Sequence, residues 1–240
     1  MSHFVFIHGP GAGGCADSFI HQLNHFDGSV APSLPGHPHG TPCKDVNSYT
    51  EWLRGWLRAQ NKKKDLILVG FTLGACIALE YALDYPEEVQ AIILMTVSMA
   101  PKKRPSDSLE FRIRASQNPS THQEWLDAMR KSMMFIETDL REQLIKRHIE
   151  IGPLSQHNDL VTIDNFDVRD RIHNLESPLM LIRGIDDPGS PPEYELDIHN
   201  AVRGSEYIKL PNAGHFPMVE QPEKVNGLIE TFLETNRSRN

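Results

Sequence analysis

Three short segments carry side chains that together could transfer an acyl group. Gly70-Phe71-Thr72-Leu73-Gly74 supplies a hydroxyl between two glycines, Asp186-Asp187 supplies carboxylates, and Gly214-His215 supplies an imidazole. A hydroxyl beside an imidazole base, with a carboxylate orienting the base, is a recurring way to make an oxygen nucleophile at neutral pH. The first segment joins an apolar run, Leu66-Ile67-Leu68-Val69, to a small-residue helix former, Ala75 to Tyr85. Glycines at both ends let a strand turn sharply into a helix without Cβ clashes, the setting of a G-x-S-x-G nucleophile elbow. The central residue here is threonine. It keeps a hydroxyl, but a β-branched residue held at positive φ costs about 1–3 kcal/mol of backbone strain. The next backbone N–H, that of Leu73, lies at a helix N-terminus, where an oxyanion is stabilised.

These residues need a sheet behind them. Phe4-Val5-Phe6-Ile7, Leu66–Val69, Ile92-Ile93-Leu94-Met95, Leu179-Met180-Leu181-Ile182 and Tyr207-Ile208-Lys209-Leu210 are short apolar runs bounded by glycine, proline or charge. Continuous runs of this length predict strands buried on both faces, as in parallel sheets. Thr72, the aspartates and His215 each fall just past the carboxyl end of such a run, where open α/β sheets bind ligands.

Helical patterns alternate with the strands. Ser48 and Glu51 form a capping-box pair ahead of Leu53, Trp56 and Leu57. Pro192 and Pro222 sit where a helix's first turn needs no N–H, and Val225, Leu228, Ile229 and Phe232 recur at helical spacing after Pro222. The alternation breaks between Pro101 and Asn165, which reads as helix only. There Thr121 and Glu124 suggest a cap before Trp125, Leu126, Met129 and Met133, and a further helix spans Thr138 to Ile149, ending before Gly152-Pro153. The division is therefore a core of residues 1–100 and 166–240 with a helical insertion, 101–165, lying over the sheet.

Composition removes several classes. The chain has 240 residues, 39% apolar and 23% charged, and 32 acidic against 24 basic residues give a net charge of −8. No basic face points to nucleic acid, and Lys62-Lys63-Lys64 reads as a solvated loop. Cys15, Cys43 and Cys76 make neither a disulfide framework nor a zinc pattern. His37 and His39 have no spaced third ligand, so no metal is expected. No apolar stretch approaches the roughly 20 residues of a membrane span, and the opening Met1-Ser2-His3-Phe4 enters a strand with no leader pattern. The expectation is a cytoplasmic protein acting on a small molecule, with no nucleic-acid or membrane partner and the oligomeric state open.

Five motifs in order, Ile7-His8-Gly9, Leu34-Pro35-Gly36-His37, the elbow, the aspartate loop and Gly214-His215, resemble those of the α/β-hydrolase superfamily over nearly the whole chain. The nearest likeness is to small bacterial esterase-like members with a short helical lid. The resemblance implies a catalytic set of Thr72, Asp187 and His215, in the order nucleophile, acid, histidine, with Asp186 turned to solvent or capping a turn. It implies that Leu73 is one oxyanion donor. The residue after His8-Gly9 ordinarily gives the other, but here it is Pro10, which has no N–H, so Gly11 takes that part. Loss of one such donor costs roughly a hundred- to a thousandfold in rate. His8 would brace this loop. Because the chain starts almost at the His-Gly strand, the implied sheet has about six strands, mostly parallel, with helices on both faces. The implied reaction is hydrolysis of a small carboxylic ester or thioester, without a cofactor.

Ser98, Met133 and Phe216 are candidate substrate-contacting residues, Ser98 as a polar group past a strand end and Met133 as an adaptable apolar one. Thr72 and Pro10 also fit two other readings: a protein that keeps the pocket to bind a small apolar ligand, or a lyase in which His215 and Asp187 act as general base and Thr72 only donates a hydrogen bond.

Overall fold

The computed structural model describes residues 2–102 and 104–237; Met1, Lys103 and residues 238–240, parts of the expected core and insertion, lie outside the described residues. Each apolar run becomes a strand: β1 (His3–Ile7), β2 (Leu66–Phe71), β3 (Val89–Met95), β4 (Leu179–Gly184) and β5 (Glu206–Leu210). They form one sheet in the order β1-β2-β3-β4-β5, parallel throughout. β2 and β4 are buried along their whole length, which is why they read as unbroken apolar runs rather than alternating ones.

Successive side chains point to opposite faces, and each face is covered. Val5, Leu68, Leu94 and Leu181 pack with α2 (Val46–Ala59) and α3 (Leu73–Asp84). Phe6, Val69, Ile93 and Ile182 pack with Phe19, Val225, Ile229 and Phe232 on the other face. Those last three belong to α9 (Pro222–Arg237), and α1 (Ile20–His25) lies on the same side. α7 (Glu193–Ala201) and α8 (Pro217–Glu220) flank β5 in sequence.

The expected sixth strand is absent among the described residues. Beyond β1 the described residues make a single bridge, Val5 to Val30, through Phe6 N–H to Val30 O at 2.8 Å and Val30 N–H to Phe4 O at 3.0 Å. Pro32 follows two residues later and has no N–H to extend the ladder. Two helix starts also differ from the sequence reading. Asp45, not Ser48, caps α2 by accepting the Ser48 N–H. Asn118, not Thr121, caps α5 (Pro119–Ser132).

Between β3 and β4 the chain is helical: α4 (Ser106–Gln117), α5 and α6 (Thr138–Asp164). α6 breaks at Gly152, whose φ of 81° and ψ of 161° are non-helical, immediately before Pro153. A proline inside a helix loses one backbone hydrogen bond and clashes with the preceding turn, so the expected stop at Gly152-Pro153 becomes a kink after which the helix resumes. This insertion is tied to the core by a buried contact, His37 Nε2 to Asp159 Oδ2 at 2.8 Å. No helix among the described residues is long and apolar enough to cross a membrane.

Candidate active site

Thr72 sits between β2 and α3 with φ 48° and ψ −106°. This is the strained positive-φ geometry expected of the elbow, adopted by a β-branched residue. Close backbone approach enforces it. A Cβ on Gly74 would lie 1.9 Å from the Ile7 carbonyl oxygen, so α3 starts against the end of β1 only because position 74 has no side chain. Thr72 is buried, and a Cβ on Gly9 would lie 1.9 Å from its Oγ1. The hydroxyl therefore packs against the Gly9 backbone and has no hydrogen-bond partner among the described residues. Leu73 is the first residue of α3, where a backbone N–H has no intrahelical acceptor.

Asp187 and His215 meet as the resemblance implies. His215 Nδ1 and Asp187 Oδ2 are 2.9 Å apart, and the other carboxylate oxygen accepts the Gly189 N–H at 2.7 Å. The Asp187 side chain is 2% exposed and that of His215 24%, so the acid is shut in while the base opens outward. Burial pushes the Asp187 carboxyl up, but the hydrogen bond and charge of His215 outweigh it and hold Asp187 below its ordinary value. Asp186 is exposed, and its N–H bonds to the Ala213 carbonyl.

Two braces hold these loops. Buried Arg183 on β4 donates to the Ser190 carbonyl at 2.5 Å and to Glu195 at 3.1 Å, closing the loop that carries Asp187. Glu220 of α8 accepts the N–H groups on either side of His215, Gly214 at 2.6 Å and Phe216 at 3.2 Å. Phe71 and Phe216 lie edge-on to the imidazole, with centroids at 5.3 and 5.2 Å. His8 is buried, accepts the Leu34 N–H and contacts the Gly9 carbonyl, so it does brace the Gly9 loop. Burial, with His37 nearby, takes its pKa down to about 3, keeping it neutral.

Thr72, Asp187, His215 and Phe216 line one cavity of about 500 Å³ beneath the helical insertion. Ser98 and Met133 do not line it. The Ser98 hydroxyl is spent on a turn, donating to the Ala100 carbonyl and accepting its N–H. Met133 is wholly buried with Leu144 and Ile145, while Met129, one helical turn earlier, reaches the wall. Gly11 is also off the wall. It has φ +64°, and a Cβ there would meet Gln156 and His148 of α6, while Pro10 faces the cavity. The wall also carries residues the motifs did not single out: Thr96, Lys102, Arg112, Trp125, Gln156 and Tyr194. Thr96 directly follows β3 with φ 58°, the kind of strained post-strand position that gathers at sites. Lys102, Arg112, Trp125 and Gln156 belong to the insertion and Tyr194 to α7, and none carries a motif.

Fold and site together define an α/β-hydrolase protein, and the chain belongs to the alpha/beta hydrolase fold family, whose profile matches residues 2–222. Among curated relatives, a 2-hydroxy-6-oxo-6-phenylhexa-2,4-dienoate hydrolase of Comamonas testosteroni is 25% identical over 95% of this chain and 86% of its own length. Among solved structures, a thermophilic esterase of Thermogutta terrifontis superposes with a TM-score of 0.80 at 18% identity, covering 98% of this chain and 90% of that one. An esterase of Exiguobacterium antarcticum gives 0.82 at 18% identity over 98% and 92%.

Proposed function

We propose that this chain hydrolyses a small carboxylic ester or thioester, with Thr72 as nucleophile, His215 as base and acid, and Asp187 orienting His215. The observation that carries the reading is the 2.9 Å contact of Asp187 with His215 Nδ1, which leaves Nε2 free on a cavity that Thr72 also lines. Rotation of Thr72 about χ1 brings Oγ1 from the Gly9 backbone towards Nε2. His215 then takes the hydroxyl proton as Oγ1 bonds to the substrate carbonyl carbon. Collapse of the tetrahedral intermediate breaks the bond to the alcohol or thiol, which leaves with the proton from His215. Water, deprotonated by His215, attacks the acyl-threonine and releases the carboxylic acid and Thr72. The Leu73 N–H supplies one oxyanion donor, and with Pro10 on the cavity wall the second is weak or missing. The reaction is expected to be slow and to need no cofactor.

One observation favours a second reading. The Thr72 hydroxyl packs on Gly9 without a partner, which suits a site where His215 and Asp187 act as general base on a bound molecule, or where a ligand is held without turnover. Hydrolysis of short-chain p-nitrophenyl esters by the chain, Thr72→Ser and His215→Ala separates these. Turnover by the chain that His215→Ala loses supports acyl hydrolysis. Turnover by Thr72→Ser alone shifts the balance to a binding protein.

A further inference from the structure

The cavity wall is unevenly charged. Its only acidic side chain among the described residues is Asp187, already committed to His215. Its cations are Lys102, Arg104 and Arg112, contributed by α4 and the loop before it. Arg104 is neutralised by Asp164, gripped through Nε at 2.9 Å and Nη2 at 3.0 Å. The other two have no such partner. Arg112 bonds only to neutral acceptors, the Ser108 carbonyl and hydroxyl and the Gln156 amide oxygen, and its Nη2 makes no hydrogen bond among the described residues. Gln156 is held in turn by Trp125 Nε1 at 2.6 Å, so that acceptor is fixed. The Lys102 ammonium lies 4.7 Å over the Tyr194 ring and makes no ion pair among the described residues.

Two half-buried cations facing one cavity with no directly paired carboxylate among the described residues, Asp164 and Glu195 acting on them only at longer range, are costly to keep. Burial pulls both groups below their ordinary values, Arg112 to about 10 with Arg104 adding to the effect. An anion entering the cavity repays that cost, and a guanidinium fork with free N–H groups fits a planar carboxylate.

We propose that the substrate carries a carboxylate, held by Lys102 and Arg112 on the helical wall of the cavity while its scissile carbonyl lies at Thr72. This rests on the reading of the site as an acyl hydrolase and narrows it to half-esters and other anionic acyl compounds. Neither residue belongs to the five motifs that define the family likeness.

The test compares mono-p-nitrophenyl glutarate with neutral p-nitrophenyl hexanoate, a chain of similar reach, by the ratio of their kcat/KM values within each protein. The intact chain is expected to favour the glutarate by about tenfold or more, since a hydrogen bond to a charged group is worth at least about that factor. In Lys102→Met/Arg112→Met the ratio falls by a similar factor, and Arg112→Lys keeps more of it than Arg112→Met. A ratio at or below one in the intact chain, or one unchanged in the double variant, overturns the proposal. Glutarate dianion added without ester gives a readout free of turnover. A saturable rise in Tm that the double variant loses supports the anion site even if no ester is cleaved, in which case acyl hydrolysis alone fails. Ester turnover with neither a charge preference nor a Tm rise sinks the anion site alone.

Discussion

Asp159 of the helical insertion and His37 of the core meet at 2.8 Å with both side chains essentially sealed from solvent. This is the clearest polar tie across that boundary. Burial works against a charge on His37, but the hydrogen bond and charge of Asp159 outweigh it and raise the imidazole above its ordinary 6.5. A raised histidine binds its proton more tightly in the folded state. Its contribution is therefore full below pH 6.5 and lost as pH rises through the higher folded value. Thermal unfolding of the intact chain should show a decline in this range that Asp159→Asn lacks. Asp159→Asn keeps an acceptor for the His37 Nε2–H, whereas Asp159→Ala leaves the buried imidazole without a partner and should lose about 1–3 kcal/mol at neutral pH.

Glu220 should show the same sign of linkage from an acid rather than a base. Burial pushes its carboxyl up to about 7 despite the N–H groups of Gly214 and Phe216. An acid with a raised folded pKa favours the folded state only while protonated, so stability falls as pH rises from 4.5 to about 7. Glu220→Gln keeps an acceptor for the two N–H groups and removes the charge. Chemical denaturation across this range should show its midpoint declining less steeply with pH than that of the intact chain. Glu220→Ala orphans both N–H groups, and a loss of about 1–3 kcal/mol is expected, with a lower kcat because the His215 loop is no longer held.

The elbow makes a prediction about strain. Thr72 holds φ 48° with a β-branched side chain pressed on Gly9. Thr72→Ser keeps the hydroxyl and removes the methyl, and should raise stability by about 1 kcal/mol, the low end of what such a conformation costs. Gly74→Ala should fail to fold, because its Cβ would fall 1.9 Å from the Ile7 carbonyl oxygen and backbone cannot give way there. Urea midpoints measure the first and soluble expression the second.

How legible each part was follows from where its information lies. The five strands announced themselves because two-sided burial writes a continuous apolar run, as in Leu66–Val69 and Leu179–Ile182. Thr72 and His215 were legible because glycines at fixed offsets report backbone constraints. Asp187 was separated from Asp186 only by resemblance. Ser98 was the wrong polar residue after β3 for the cavity: Thr96 lies two residues nearer the strand end and faces it. The edge strand reduced to Val30 depended on Pro32, a local veto that hydropathy does not weigh. Lys102 and Arg112 were invisible because which face of a helical insertion meets the cavity is decided by tertiary packing, not by its weak periodicity.

The central claim, that Thr72 Oγ1 is the acyl acceptor, is tested most directly by mass spectrometry of the chain quenched during p-nitrophenyl ester turnover. The account predicts an acyl adduct on the peptide containing Thr72, absent from Thr72→Val and from His215→Ala, with turnover lost in both. Undiminished hydrolysis by Thr72→Val, with no adduct on the intact chain, would contradict it and leave His215 and Asp187 acting as a general base on a substrate that Thr72 never touches covalently.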